Sequence, residues 1–228
     1  MNLAPQALLR IIQAALFVVI VRPFLAVVIG LKVHHRRNLP KQGPAIIVAN
    51  HNSHLDTLSL MAQLPLRALW QARPVAALDH FGEGAVGFFA RVILRAILIE
   101  RRGKPGAGAL DPVLRALDRK QIVIFFPEGS RGEPEVLGSF RHGISRLVQM
   151  RGDVPVVPVY LHNMGKCMPK GSWLFVPFNC AMIVGSPADL STVAAEAVPS
   201  HLRSLIEELA TQTSLGRWDL KEGHGLGA

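Results

Sequence analysis

The stretch that decides the fold runs Ala45-Ile46-Ile47-Val48-Ala49-Asn50-His51-Asn52-Ser53-His54-Leu55-Asp56. Five apolar residues, three of them β-branched, stand between Gly43-Pro44 and Asn50-His51. That pattern predicts a short strand buried on both faces. The polar run that follows leads into a periodic segment, 53–64, read as a helix with Ser53 as its N-cap and Pro65 as its stop. A buried strand that opens through a polar turn into a helix is the repeating unit of an α/β protein. In such folds ligands gather at the carboxyl ends of the strands. A second unit of the same kind follows: the apolar strand 121–126 ends in Phe126-Pro127-Glu128-Gly129-Ser130-Arg131.

Outward from these units the pattern repeats. Helical periodicity covers 84–95, 107–120 and 138–150, and short strands are expected at 97–99, 154–161 and 180–184. Pro155 and Pro158 point to an edge or irregular pairing for the strand at 154–161. Leu202, Leu205, Ile206 and Leu209 mark a C-terminal amphipathic helix. The expected fold is α/β: a mostly parallel central sheet flanked by helices, with an apolar helical segment for membrane association at the N-terminus. The expected organisation is that segment at 1–38, a catalytic body at 39–215 and a disordered tail at 216–228. No internal repeat is evident.

Composition bounds the function. The chain has 228 residues, half of them apolar, only 18% charged, with mean hydropathy +0.30. That excludes a disordered chain, a coiled coil and a collagen-like repeat, and leans towards contact with lipid. The net charge is +9 and the pI near 10.4, which suits anionic surfaces or phosphorylated small molecules. Aromatic residues make up 6%, too few for base-stacking platforms, so no nucleic-acid partner is expected. No acidic residue precedes Asp56, whereas Arg10, Arg22, Lys32, Arg36, Arg37 and Lys41 all do. The segment 11–21 is apolar except for Gln13, and 24–31 is apolar after the break at Arg22-Pro23. Three arrangements fit it: an interfacial helix pair, a single kinked span and a core helix. The cations after it place that side at the cytoplasmic face of a membrane. The start of the chain carries little positive charge and no A-x-A site follows the apolar run, which argues against a cleaved signal peptide. Cys167 and Cys180 form no CxxC pair and have no zinc-ligand spacing; both are expected to be reduced.

Within the first cluster, His51 and Asp56 are five residues apart, about 140° off a common face on a regular helix. They meet if His51 lies in the loop and Asp56 in the first helical turn. A carboxylate so placed fixes the imidazole tautomer and stabilises its cation, which makes His51 a candidate general base. No G-x-S-x-G or other nucleophile signature is present, so the base would activate a hydroxyl supplied by the substrate. His54 is the nearby alternative and is read as structural or solvent-facing. The run 103–108 (GKPGAG) lacks the spacing of a phosphate loop.

Taken together, these residues resemble the glycerophospholipid acyltransferase family. Its block N-H-x4-D is met by Asn50, His51 and Asp56. The block close to G-x-I-F-I-x-R is met in part by Ile97, Ile99, Glu100 and Arg101, with Ala96 and Leu98 departing from it. F-P-E-G-[ST]-R is met in full by Phe126 to Arg131, and V-P-[IV]-[IV]-P-V by Val154 to Val159. The four blocks occur in order. The resemblance implies catalysis by His51 and Asp56, and acceptor binding by Arg101, Glu128, Gly129, Ser130 and Arg131. It implies transfer of a fatty acyl group from acyl-CoA or acyl-carrier protein to a lysophospholipid hydroxyl. Lysophosphatidic acid is the leading acceptor; glycerol 3-phosphate, another lysophospholipid or a lyso-aminolipid are the alternatives. Guanidinium groups of Arg131 and Arg101 would clamp phosphate oxygens. No cofactor is expected. A metal-dependent hydrolase built on His51, His54 and Asp56 is the rival class, and its H-x-x-H-x-D spacing departs from that of dinuclear hydrolases.

Overall fold

A computed structural model of the chain describes residues 3–78, 85–100, 108–167 and 179–213. Among the described residues seven strands form one sheet in the order β1 (Lys32–His34), β7 (Ala181–Val184), β6 (Val156–His162), β2 (Ala45–Ala49), β5 (Ile122–Phe125), β3 (Ala72–Ala77) and β4 (Ile97–Ile99). Every neighbouring pair is parallel except β6 and β7. The mostly parallel sheet expected from the sequence is therefore present.

The side-chain alternation of the central strands divides the core. Ala45, Ile47 and Ala49 of β2, with Ile122 and Ile124 of β5, join one apolar cluster. Into it pack α2 (Leu55–Gln63), α3 (Leu66–Gln71) and the N-terminal helix. Ile46 and Val48 of β2, with Val123 and Phe125 of β5, join the cluster on the other face. That face is covered by α5 (Asp111–Asp118), α6 (Gly143–Met150) and α8 (Val198–Thr211), while the short α4 (Ala85–Phe88) precedes β4 and α7 (Met164–Cys167) follows β6. Burial on both faces is why these strands read as unbroken apolar runs rather than alternating ones. The parallel register Ala45↔Ile122 to Val48↔Phe125 makes β2 and β5 end side by side. Asn50 and Phe126 thus leave the sheet at the same edge.

The N-terminal helix begins as α1 (Leu3–Ala15) and continues through Arg22-Pro23 as one helix rather than a pair, by wider turns at Leu16–Val21 and Phe24–Val28. Its buried residues are Gln13, Phe17, Val21, Leu25 and Ile29, one every four. An α-helix drifts about 40° per four residues. The wider turns, with about 4.4 residues each and i→i+5 bonds such as Arg22 N–H to Phe17 O and Ile29 N–H to Phe24 O, cancel the drift and keep the stripe facing the core. Looser winding also relieves the clash that a proline ring makes in a regular α-helix.

Arg22 faces protein. Its Nε donates to Ala62 O at 2.8 Å and its Nη2 to Leu64 O at 2.7 Å, while Arg36 Nε donates to Gln63 O at 3.1 Å. Two guanidinium groups thus satisfy carbonyls that the end of α2 leaves open. The opposite side of the long helix is apolar and bare. Val27 is 82% exposed, Val19 69% and Ile20 60%. The 22 residues Ala7–Val28 are long and apolar enough to cross a membrane.

Several expectations differ from the structure. β1 and β3 escape the sequence pattern, because Lys32 and His34 in one and Arg73 and Pro74 in the other interrupt their apolar runs. β6 is interior, not an edge. Pro158 lies opposite Val48 of β2, and just before the first β6–β7 pair, Val159↔Val184. Its missing donor therefore falls where the antiparallel ladder ends, and its carbonyl still accepts Gly185 N–H at 2.8 Å. The helix read at 138–150 starts only at Gly143, since Gly138 N–H and Arg141 N–H are spent on Glu128 and Pro127 O. Cys167 and Cys180 are both buried and not disulfide-bonded, with their sulfurs 3.1 Å apart. The contact with Cys167 and burial push the Cys180 thiol up, so it stays protonated. The tail expected to be disordered, 216–228, lies outside the described residues.

Arg22→Ala removes two charge-assisted bonds and uncovers the end of α2. It is expected to lower stability by about 1.5–3 kcal/mol, read as a drop in the chemical-denaturation midpoint in detergent.

Candidate active site

His51 leaves β2 in a loop, and Asp56 follows in the first turn of α2. Asp56 is fully buried, and its Oδ2 accepts three N–H groups: His51 Nδ1 at 2.9 Å, Asn52 N at 2.7 Å and Ser53 N at 2.7 Å. The carboxylate reaches back over its own helix start, does the work of an N-cap, and seizes the imidazole with the same atom. Ser53 Oγ accepts Leu55 N–H at 3.2 Å, a local turn that completes the start of α2. The bond to Nδ1 leaves Nε2 of His51 as the ring's other nitrogen. The imidazole stacks on Phe126, with ring centroids 4.2 Å apart and planes 21° apart.

Phe126 opens the second loop, at the end of β5, so the stacking joins the two clusters. Two further bonds lock them. Glu128 Oε1 accepts His51 N–H at 2.9 Å, and Gly132 N–H donates to His51 O at 2.9 Å. Glu128 Oε2 accepts Gly138 N–H at 3.3 Å. Burial raises the Glu128 carboxyl above its ordinary value, against the lowering by its two backbone donors. Gly129 has φ +75°, and a Cβ there would sit 2.8 Å from Arg141 Nε. The glycine lets Arg141 lie across the loop, where its Nε donates to Glu128 O at 3.1 Å. Ser130 lies half-buried in the same turn. Arg131 Nη1 contacts His54 Nε2. Burial lowers the Arg131 guanidinium, partly countered by the charge of Asp56.

The structure thus brings His51, Asp56, Glu128, Gly129, Ser130 and Arg131 to one edge of the sheet. Arg101 lies outside the described residues. His54, read as structural or solvent-facing, is exposed and touches Arg131. Among the described residues no three His, Cys, Asp or Glu side chains converge as a metal-ligand set.

Sequence reasoning missed the second layer. Glu135, with φ +62°, accepts Asn163 N–H at 2.6 Å and meets His162 Nδ1 at 2.7 Å. It thereby fastens the loop after Arg131 to the end of β6. These contacts hold its carboxyl below the ordinary value against burial, with His162 the leading cause. Asn50 accepts Leu161 N–H at 2.7 Å and donates to Leu161 O at 2.9 Å, tying the His51 loop to the same strand. The four-block pattern reached Asn50 but not Glu135, Arg141 or His162, whose partners lie many residues away in the chain.

A family model described as Acyltransferase matches residues 30–162, more than half of the chain. Among relatives, the 1-acyl-sn-glycerol-3-phosphate acyltransferase alpha of Bos taurus is 25% identical over 208 residues, 87% of this chain and 70% of that protein. The 1-acyl-sn-glycerol-3-phosphate acyltransferase of Bacillus subtilis (strain 168) is 27% identical over 194 residues, 85% of this chain and 87% of that protein. The crystal structure of the 1-acyl-sn-glycerophosphate (LPA) acyltransferase PlsC from Thermotoga maritima superposes with a TM-score of 0.69 at 22% identity. It covers 85% of this chain and 76% of its own, and shows the shared fold. With its sheet, its paired loops and the match across residues 30–162, the chain belongs to the Acyltransferase family.

Proposed function

We propose that this acyltransferase moves a fatty acyl group from a thioester, acyl-CoA or acyl-carrier protein, to the free hydroxyl of 1-acyl-sn-glycerol 3-phosphate, giving phosphatidic acid at the cytoplasmic face of a membrane. The observation that carries this reading is the joining of the His51–Asp56 pair and the Glu128–Arg131 turn at one edge of the sheet. The relatives' names supply the acceptor.

In this mechanism His51 Nδ1–H is held by Asp56, so Nε2 takes the proton from the acceptor hydroxyl as its oxygen attacks the thioester carbonyl carbon. The C–O bond forms, the C–S bond breaks, and the imidazolium returns its proton to the departing thiolate. A thiol of pKa about 8.5 leaves with little help. Asp56 stabilises the imidazolium, and the Phe126 ring holds the imidazole plane. Arg131 forks onto the acceptor's phosphate oxygens, and Arg101 is assigned to the same phosphate from the sequence pattern. Glu128 positions the His51 backbone and accepts a glycerol hydroxyl. Gly129 and Ser130 shape the turn against which the headgroup lies.

The bare apolar side of the N-terminal helix seats the enzyme where its acceptor resides. Val19, Ile20 and Val27, with Phe88 at 61% exposed, are the side chains offered to the hydrocarbon, and the buried stripe keeps the helix fixed to the catalytic body.

His51→Ala is expected to lower kcat by about 10²–10⁴-fold with the protein still folded. Asp56→Asn should reduce kcat more than it shifts KM. Mass spectrometry of products from a panel of lysolipid acceptors with both thioester donors reads the outcome. A rate for His51→Ala within about threefold of wild type, well below the general-base contribution, would refute the mechanism, and exclusive turnover of another acceptor would refute the substrate. The triple substitution Val19→Ser, Ile20→Ser and Val27→Ser is expected to weaken partition onto phosphatidylcholine vesicles by more than about tenfold, measured by co-sedimentation.

A further inference from the structure

A second constellation lies at the opposite end of the sheet from His51. The amino ends of β3, β4 and β5 border an open cleft of about 310 Å³ whose charged lining is Arg73, Arg95, Arg115 and Arg119. Arg10 of α1 lines a smaller adjoining cavity that also reaches Arg95. Gln121, on the rim, and Phe126, against His51, mark the two ends of β5, about 17 Å apart at the usual strand rise.

Two features separate this cluster from an ordinary solvated basic face. Arg73 is only 6% exposed, an unusual place for an arginine without a counter-charge. Its Nη1 donates to Trp70 O at 3.1 Å and Ala72 O at 2.6 Å, and Arg95 Nη1 donates to the same Trp70 O at 3.0 Å. Two guanidinium groups therefore crowd one carbonyl oxygen beside an open cleft. Among the described residues none of the five arginines pairs with a carboxylate, and the cleft lining contains no acidic side chain. The strain shows in the acidity. Arg73 is pushed down to about 9 by burial, then by the charges of Arg95 and Arg10; Arg95 is lowered by burial and by Arg10. The missing component is negative charge. Planar forks suit the oxygens of phosphate, and the exposed Arg115 on α5 and Arg119 just past its end complete the ring from the solvent side.

We infer that the cleft between α5 and the amino ends of β3–β5 binds a phosphate group, held by Arg73 and Arg95 from below and Arg115 and Arg119 from above, at a site separate from the His51 end of the sheet. Leu9 and Arg10 extend it onto the helix whose bare apolar side is offered to lipid, so an acidic headgroup can reach it as readily as a free phosphate compound.

The rim pair tests this, because the buried Arg73 also supports the fold. The full chain in neutral detergent is titrated with inorganic pyrophosphate by calorimetry. Its partition is measured on vesicles of phosphatidylcholine, alone or mixed with phosphatidylglycerol. R115Q/R119Q is expected to weaken binding of at least one phosphate-bearing probe by about tenfold or more, with transfer to a micellar acceptor unchanged. Loss of pyrophosphate binding marks a site for free phosphate compounds, and loss confined to the acidic vesicles marks a lipid headgroup. R37Q/K41Q removes the same charge beside the N-terminal helix and should lose less than R115Q/R119Q on whichever probe binds. The inference is overturned if wild type binds neither probe, if R115Q/R119Q binds both as wild type does, or if R37Q/K41Q loses as much.

Discussion

One carboxylate oxygen, Asp56 Oδ2, organises the end of the sheet where His51 lies. It is fully buried and gathers the imidazole N–H of His51 with two backbone N–H groups of the turn before α2. A buried carboxylate without donors would be costly, and one with three is a fixed point. The path of the chain from strand to helix and the orientation of the imidazole therefore become one structural decision. Nothing can shift the helix start without turning the ring.

Around that point the loops brace one another rather than the core. The Glu128 turn holds the His51 backbone, Gly132 returns a bond to His51 O, and Glu135 and Asn50 fasten both loops to β6. The parallel register of β2 and β5 makes this bracing possible, because it brings two strand ends to the same edge. The sheet's contribution to chemistry is thus alignment. The polar network then removes the freedom that loops ordinarily keep.

The sequence made the central strands and the His51–Asp56 pair legible for a physical reason. Ala45–Ala49 and Ile122–Phe125 are buried on both faces, and local apolar runs record that burial directly. His51 and Asp56 are near neighbours whose meeting depends only on a local turn. β1 and β3 were not legible, since Lys32, His34, Arg73 and Pro74 break the local pattern and those strands exist only because a neighbour pairs with them. Arg22 looked like an interruption of an apolar run because its acceptors, the carbonyls of Ala62 and Leu64, lie about forty residues on. Glu135 and His162 were invisible for the same reason. Residues whose partners are local declare themselves in sequence, whereas residues that tie distant segments do not.

The long N-terminal helix has one more consequence. Its stripe of Phe17, Val21, Leu25 and Ile29 belongs to the same apolar cluster as Leu60, Met61, Leu64 and Leu69, and Arg22 closes the end of the neighbouring helix. Bare apolar surface and structural wall are therefore one object. Trimming the amino terminus to obtain a detergent-free enzyme would strip away part of the hydrophobic interior along with the greasy exterior, leaving a remnant that aggregates instead of a soluble catalytic domain.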